Sequence, residues 1–205
     1  MDTPSGKLIV FEGIDGTGKT TQLTLLAKTL IDRSYPVVST REPTDGTFGR
    51  KIRDLYNNRE SVSRQEELEL FLADRRQHVQ EVLAPALHAG KIILCDRYVL
   101  STVAYQGAAG FSPQEILARN DFAPTPDLAL LFQAAPDVGI ARITGKRGES
   151  LNDFERADTL ARVAEIFSSL NQSYIRRIDA TRGIAAVHES VINAVEHVLH
   201  NYRSG

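Results

Sequence analysis

Leu8-Ile-Val-Phe-Glu-Gly-Ile-Asp-Gly-Thr-Gly-Lys-Thr20 opens the reading. Its first four residues are an apolar run of strand length. Gly13 to Thr20 then matches GxxxxGKT, and Leu23, Leu25, Leu26 and Leu30 follow at helical spacing. Strand, glycine-rich turn and helix form the context that a phosphate-binding loop, or P-loop, requires. The glycines let successive backbone N–H groups turn toward phosphate oxygens. Lys19 reaches the β and γ phosphates, and Thr20 can ligate Mg²⁺ beside the positive end of the helix. The nucleotide-binding candidates are Gly13, Ile14, Asp15, Gly16, Thr17, Gly18, Lys19, Thr20 and Thr21, with Lys19 also catalytic.

Further runs of strand length lie at Pro36 to Ser39, Ile92 to Cys95 and Leu128 to Phe132, with a weaker one at Ile178 to Asp179. Helical patterns fill most of the gaps. Continuous apolar runs predict strands covered on both faces, and strands separated by helices pair in parallel. The expected class is α/β: a three-layer P-loop NTPase fold with a five-stranded parallel sheet flanked by helices. Ser63 with Glu66 reads as a capping box, and Ser112-Pro113-Gln114-Glu115 as a second helix start. A long helix after Ser63 is expected to end near Pro85 to Gly90, and a last helix after Gly183 carries Val187, Val191, Val195 and Val198. The polar stretch 145–153 reads as an exposed loop.

The chain has 205 residues, read as one domain, 1–205. With 42% hydrophobic and 24% charged residues it falls in the globular range, and a net charge of -2 gives no basic field for nucleic acid. Cys95, the lone cysteine, sits in an apolar run and is expected to be buried and inert, which fits a reducing cytoplasm. No run approaches the roughly 20 residues that span a bilayer, so no membrane association is expected. The histidines are scattered, with His78 and His88 ten residues apart, so no metal-ligand cluster is expected.

A P-loop alone does not separate kinases from GTPases or nucleotide-gated binding proteins. No guanine-reading NKxD is present. Asp96-Arg97-Tyr98 ends the third strand and Thr40-Arg41-Glu42-Pro43 the second, at the edge where an open parallel sheet binds its ligands. Asp96 can hold Mg²⁺ or its water, and Arg97 offers a planar fork to a phosphate. Two arginines there imply two anions.

Over essentially its whole length the chain resembles the thymidylate kinases. The motifs that carry the likeness are EGxxGxGKT at Glu12 to Thr20, TREP at Thr40 to Pro43, FxxxR at Phe71 and Arg75, and DRY with STxAYQG between Asp96 and Gly107. The resemblance implies transfer of a phosphoryl group from ATP to dTMP with Mg²⁺ at Thr20 and Asp96, in a homodimer. It implies that Phe71 stacks on the pyrimidine while Arg75, four residues on and so on the same helical face, donates to O4. It further places Ser101, Thr102 and Gln106 near the substrate, Tyr105 against C2′, Asp15 on the 3′-hydroxyl, and Arg41, Arg53 and Arg97 on the acceptor phosphate. Asp15 and Arg97 are thereby also catalytic candidates.

The likeness also implies a short lid at 142–155. The P-loop has Gly16 where some relatives carry arginine, so the lid is expected to supply the cation for the transferring group: Arg147, with Lys146 as partner and Arg142 stacked on adenine. The chain departs from the family pattern at Thr44-Asp45-Gly46, at Phe132-Gln133 and at Asn152-Asp153-Phe154-Glu155, where DRFE-like sequences are usual. The alternatives are another nucleoside monophosphate kinase or a deoxynucleoside kinase. The latter needs a base for its 5′-hydroxyl, for which Glu42 is the strand-end carboxylate available.

Overall fold

The computed structural model describes residues 6–147, 154 and 157–203, without the side chains of Asn57, Lys146, Arg147, Ala157, Asn201 and Arg203. In chain order its elements are β1 (Lys7–Glu12), α1 (Lys19–Asp32), β2 (Val37–Arg41), α2 (Thr47–Asp54), α3 (Arg64–His78), α4 (Ala84–His88), β3 (Ile92–Asp96), α5 (Val99–Ala108), α6 (Pro113–Arg119), β4 (Leu128–Gln133), α7 (Pro136–Arg147), α8 (Ala157–Ser169), β5 (Ile175–Asp179) and α9 (Ile184–Arg203).

The five strands form one parallel sheet in the order β2-β3-β1-β4-β5. Alternate side chains of the central strands enter two cores, which gives three layers. Ile9, Phe11, Leu94 and Phe132 meet Leu26 and Leu30 of α1 and Val191 and Val195 of α9. Leu8, Val10, Ile93 and Leu131 meet Val103 of α5, Ile116 of α6, and Leu160 and Val163 of α8. Burial on both faces therefore holds for β1, β3 and β4. It fails for the edge strands: β2 has no fully buried residue, and β5 buries only Ile175 and Ile178. Exposed Arg176 and Arg177 are why most of β5 shows no apolar run.

Both predicted caps form. Ser63 and Glu66 close a reciprocal capping box, and the Ser112 hydroxyl accepts from the Glu115 N–H with proline in the first turn. The helix after Ser63 is less regular than its spacing suggests. Between α3 and α4, Val79 to Leu83 form a π turn in which the Ala84 N–H reaches back to the Val79 carbonyl. It lies just ahead of Pro85, whose ring crowds the carbonyl four residues earlier and which lacks an N–H for the regular ladder. The predicted loop at 145–153 needs correction at its start, because α7 continues through Arg147. Gly145 tolerates this at the usual cost of about 1 kcal/mol for a helical glycine. Residues 148–153 and 155–156 lie outside the described residues.

Register brings the functional ends together. Phe11 and Arg41 both pair with Asp96, so the carboxyl ends of β1, β2 and β3 stand side by side at one edge. Among the described residues, no helix is long and apolar enough to cross a membrane.

Candidate active site

A cleft of about 820 Å³ runs along that edge, from the P-loop to the start of α5. Its central turn is held by backbone geometry. Gly18 precedes α1 at φ 88, a left-handed conformation that favours glycine. Gly16, at φ 78, lies against α7: a Cβ there would stand 2.2 Å from the Gly139 carbonyl oxygen. The P-loop cannot carry an arginine at this position while α7 stays where it is.

Lys19 is buried, with its Nζ donating to the Ile14 carbonyl at 2.8 Å. Burial, reinforced by the Arg97 charge, brings its ammonium down to about 8 against the pull of Asp15, Asp96 and Glu12. The Thr20 hydroxyl donates to the Asp96 carboxylate at 2.5 Å. One hydroxyl and one carboxylate are hard oxygen donors, and Mg²⁺ characteristically takes one or two such ligands while substrate phosphates and water complete its shell. The donor set fits. No group of three or more His, Cys, Asp or Glu suited to a metal is found among the described residues.

Beyond the P-loop, Arg97, Asp15 and Tyr105 form a charged knot. Arg97 Nη2 pairs with Asp15 Oδ1 at 2.7 Å, and the Tyr105 hydroxyl donates to Asp15 Oδ2 at 2.9 Å. Burial would push the Asp15 carboxyl up, but Arg97 and Lys19 hold it well below the usual carboxylate range. It is therefore an ionised, acceptor-only group. Arg41 and Arg53 also line the cleft, both on Asp45 Oδ1, at 2.8 and 3.1 Å. Asp45, one of the departures from the family pattern, is thus the present counterion of two predicted phosphate arginines.

At the far end, Phe71 is half-buried on the cleft wall, while Arg75 is 1% exposed. Its guanidinium donates twice to Glu42 Oε2, at 2.6 and 3.0 Å, to Asn120 Oδ1 at 2.6 Å and to Thr102 at 3.0 Å. Guanidinium has five N–H groups, so one remains for a ligand. Gln106 is completely buried. Its Nε2 donates to Glu67 at 2.5 Å, while its Oε1 has no partner among the described residues. A buried orphan acceptor and a partly committed donor thus line the same end of the cleft.

Glu42 is no candidate base. Burial pushes its carboxyl up, yet Arg75 and His78 outweigh that and hold it below its ordinary value. With one oxygen on Arg75 and the other on His78, it serves as a structural anion. Ser101 is likewise occupied, donating to Glu12 at 2.5 Å and accepting from Arg97 at 3.1 Å.

On the nucleotide side Arg142 lines the cleft but donates to the Ala180 carbonyl at 2.8 Å. The loop between β5 and α9, Ala180 to Gly183, lines the cleft beside it and was not anticipated, nor was Tyr56, which lines it with Phe154 from the expected lid segment. Those two rings meet at 5.6 Å, and the Arg59 guanidinium sits 4.2 Å over Phe154. Their partners are remote in sequence and carry no spacing signal. The side chains of Lys146 and Arg147 lie outside the described residues. Cys95 is buried as expected, and burial pushes its thiol up, which makes it inert.

Comparison with known proteins identifies the family. The sequence model of a family described as Thymidylate kinase matches residues 11–191. A thymidylate kinase of Desulfotalea psychrophila is 55% identical over 199 residues, covering 97% of this chain and 98% of the relative. Thymidylate kinases of Xanthomonas campestris pv. campestris and Akkermansia muciniphila are each 47% identical, over 179 and 180 residues. Both alignments cover 87% of this chain, and 78% and 85% of the respective relatives.

Proposed function

This chain belongs to the thymidylate kinase family, and we propose that its cleft transfers the γ-phosphoryl group of ATP to dTMP, yielding ADP and dTDP. The observation that carries the reading is the donor and acceptor at the deep end of the cleft. The remaining Arg75 N–H matches the O4 carbonyl of thymine, and the orphan Gln106 Oε1 matches its N3–H. Cytosine presents an amino donor and a bare ring nitrogen there, so both contacts would meet like with like. Phe71 stacks on the base, Thr102 steadies Arg75, and Tyr105 stands against C2′ of the sugar with Asp15 on the 3′-hydroxyl.

Arg41, Arg53 and Arg97 hold the acceptor phosphate. Its second pKa is near ~6, so at neutral pH it is largely a dianion and needs no general base. The commitment of Glu42 to Arg75 and His78 supports a phosphate rather than a hydroxyl acceptor. ATP lies with its phosphates on Gly13 to Thr21 and its adenine against Arg142 and the β5–α9 loop. Thr20 and Asp96 would hold Mg²⁺, which would supply neutralising positive charge to the ATP phosphates. Catalysis is then positioning plus charge stabilisation by Lys19, Arg97 and the lid cations Arg147 and Lys146. Family likeness supports a single kinase domain with a lid at 142–155, acting as a cytoplasmic homodimer built from the helices around β3.

ADP release measured across dTMP, dUMP, UMP, CMP, dGMP and thymidine tests the reading. Turnover should be greatest with dTMP; turnover centred on thymidine, or absent with dTMP, would overturn it. Two variants refine it. Tyr105→Phe should keep the preference for deoxyribose over ribose, because the ring does the excluding, whereas Tyr105→Ala should raise relative turnover of ribosyl-TMP. If neither variant changes the ratio, the sugar lies elsewhere. Asp45→Asn removes the anion that competes with phosphate for Arg41 and Arg53. It should lower the KM for dTMP by about two- to fivefold, less at high salt, as suits an exposed pair. An unchanged or raised KM at low salt would exclude that competition.

A further inference from the structure

Glu12 has no task in the reading above, although its placement calls for one. It ends β1 directly before the P-loop and is 0% exposed. Burying a carboxylate is unfavourable unless hydrogen bonds compensate. Here the segment that carries Arg97 supplies hydrogen bonds that compensate in part, although burial still pushes the carboxyl up to about 7. The Tyr98 N–H donates to Oε1 at 3.1 Å, and the Ser101 hydroxyl donates to Oε2 at 2.5 Å. The Ser101 oxygen then accepts from Arg97 Nη1 at 3.1 Å. Arg97 itself sits at φ 68, in the left-handed region, with its N–H on the Phe11 carbonyl at 2.9 Å. Non-glycine residues hold that conformation only where the surroundings impose it.

We infer that Glu12 is a positioning residue for the acceptor phosphate, acting through Ser101 on Arg97; this rests on the proposed acceptor role of Arg97. A hydroxyl has one proton and two lone pairs. With Glu12 ionised, the Ser101 proton is committed to it and the oxygen facing Arg97 can only accept. The chain Arg97→Ser101→Glu12 therefore runs donor to acceptor throughout. Asp15 cannot substitute for Ser101, because it engages Nη2 rather than Nη1, and the Gly13 carbonyl is 3.4 Å from Nη1. Glu12 thus aims one arm of the fork while Asp15 aims the other.

Glu12→Gln tests this, being nearly isosteric and opposite in polarity. If its amide oxygen keeps the Tyr98 N–H, its NH₂ donates to Ser101. The serine proton then has no acceptor there, so the hydroxyl either turns it toward Arg97, donor against donor, or leaves it unpaired in a buried site. The KM for dTMP should rise at least ~10-fold, the scale of a lost charge-assisted hydrogen bond, while the KM for ATP stays within about twofold. Ser101→Ala should raise the KM for dTMP by about three- to tenfold, since it removes an acceptor without creating a conflict. The distinguishing result is the double variant. Without the serine proton the conflict disappears, so Glu12→Gln/Ser101→Ala should bind dTMP better than Glu12→Gln alone. A purely structural Glu12 predicts additive losses instead.

The inference is overturned if both single variants keep the KM for dTMP within twofold, if the double variant shows the product of the single losses, or if both KM values rise together with a lowered Tm. Should Glu12→Gln fail to fold, Ser101→Ala decides: a raised KM for dTMP at constant KM for ATP supports the inference, and an unchanged one overturns it. Failure of the parent enzyme with dTMP would instead sink the proposed function, and that is measured before any variant is made.

Discussion

Arg147→Ala is expected to lower kcat by at least ~10²-fold while leaving the dissociation constant for dTMP within about twofold. Charge on the transferring group spreads over three oxygens in the transition state, and the proposed function supplies one cation there, Lys19. The P-loop cannot supply a second, because any side chain at Gly16 would strike the Gly139 carbonyl. Arg142 is drawn aside to the Ala180 carbonyl, and Arg97 is tied to Asp15 on the acceptor side. Arg182 also lines the cleft, but the proposed lid at 142–155 is where the family likeness puts another cation, and Arg147 is our choice there. Removing a transition-state arginine typically costs 10³ to 10⁵ in turnover, and ~10² allows for partial rescue by Lys146. Dissociation of dTMP should hardly change, since the contact matters mainly in the transition state. If kcat stays within about threefold in this variant and in Lys146→Ala/Arg147→Ala, the cation comes from elsewhere, Arg97 being the next candidate.

Arg75→Ala should be costly in two ways. Loss of the base contact weakens dTMP binding by roughly 1.5 to 3 kcal/mol, and calorimetry should detect it with ATP affinity intact. The fold suffers as well, because Glu42 is then buried with His78 as its main remaining partner. Breaking a buried pair from one side destabilises by about 3–5 kcal/mol, measurable by urea unfolding. The pH dependence follows from Glu42. In the parent its folded pKa lies below the unfolded value, so its contribution is present above about pH 4.5 and lost in acid. In the variant burial dominates and raises the folded pKa, so stability is lost as pH increases. The gap between parent and variant should therefore narrow as pH falls toward about 4.5. A gap independent of pH would mean that Glu42 is not the stranded charge, and unchanged dTMP affinity would remove Arg75 from the base site.

Legibility followed locality. The P-loop, its strand and helix, the three central strands and both serine caps are decided by residues within a few positions of one another. That Phe71 and Arg75 share a helical face was legible for the same reason, whereas their place on the cleft wall followed from the family likeness. The surroundings of Arg75 were not legible. Its anion, Glu42, is 33 residues away and its acceptor Asn120 is 45 away, and neither separation has a period that a sequence displays. Glu12 reads as the last residue of a strand, and nothing local says that its carboxylate reaches Ser101, 89 residues on. Polarity misled at β5, where two exposed arginines interrupt the run. At the end of α7, glycine and charge suggested a loop where the helix continues.

The π turn at Val79 to Leu83 sets a phase. A π turn amounts to one residue more than the regular spiral needs, and one residue is about 100° of rotation at 3.6 residues per turn. Phe71, Arg75 and His78 precede it and serve the cleft and its anion, whereas Leu83, its last residue, and Ala86 beyond it pack into the core. The widened turn lets both sets face their targets along what is otherwise one continuous rod. Loss of a single residue from 79–83 could leave a smoother helix, yet it would swing one set about 100° away from its partners. Length is therefore more constrained than identity in this segment: most single replacements at exposed positions such as Gln80 should be harmless, while a one-residue deletion should not.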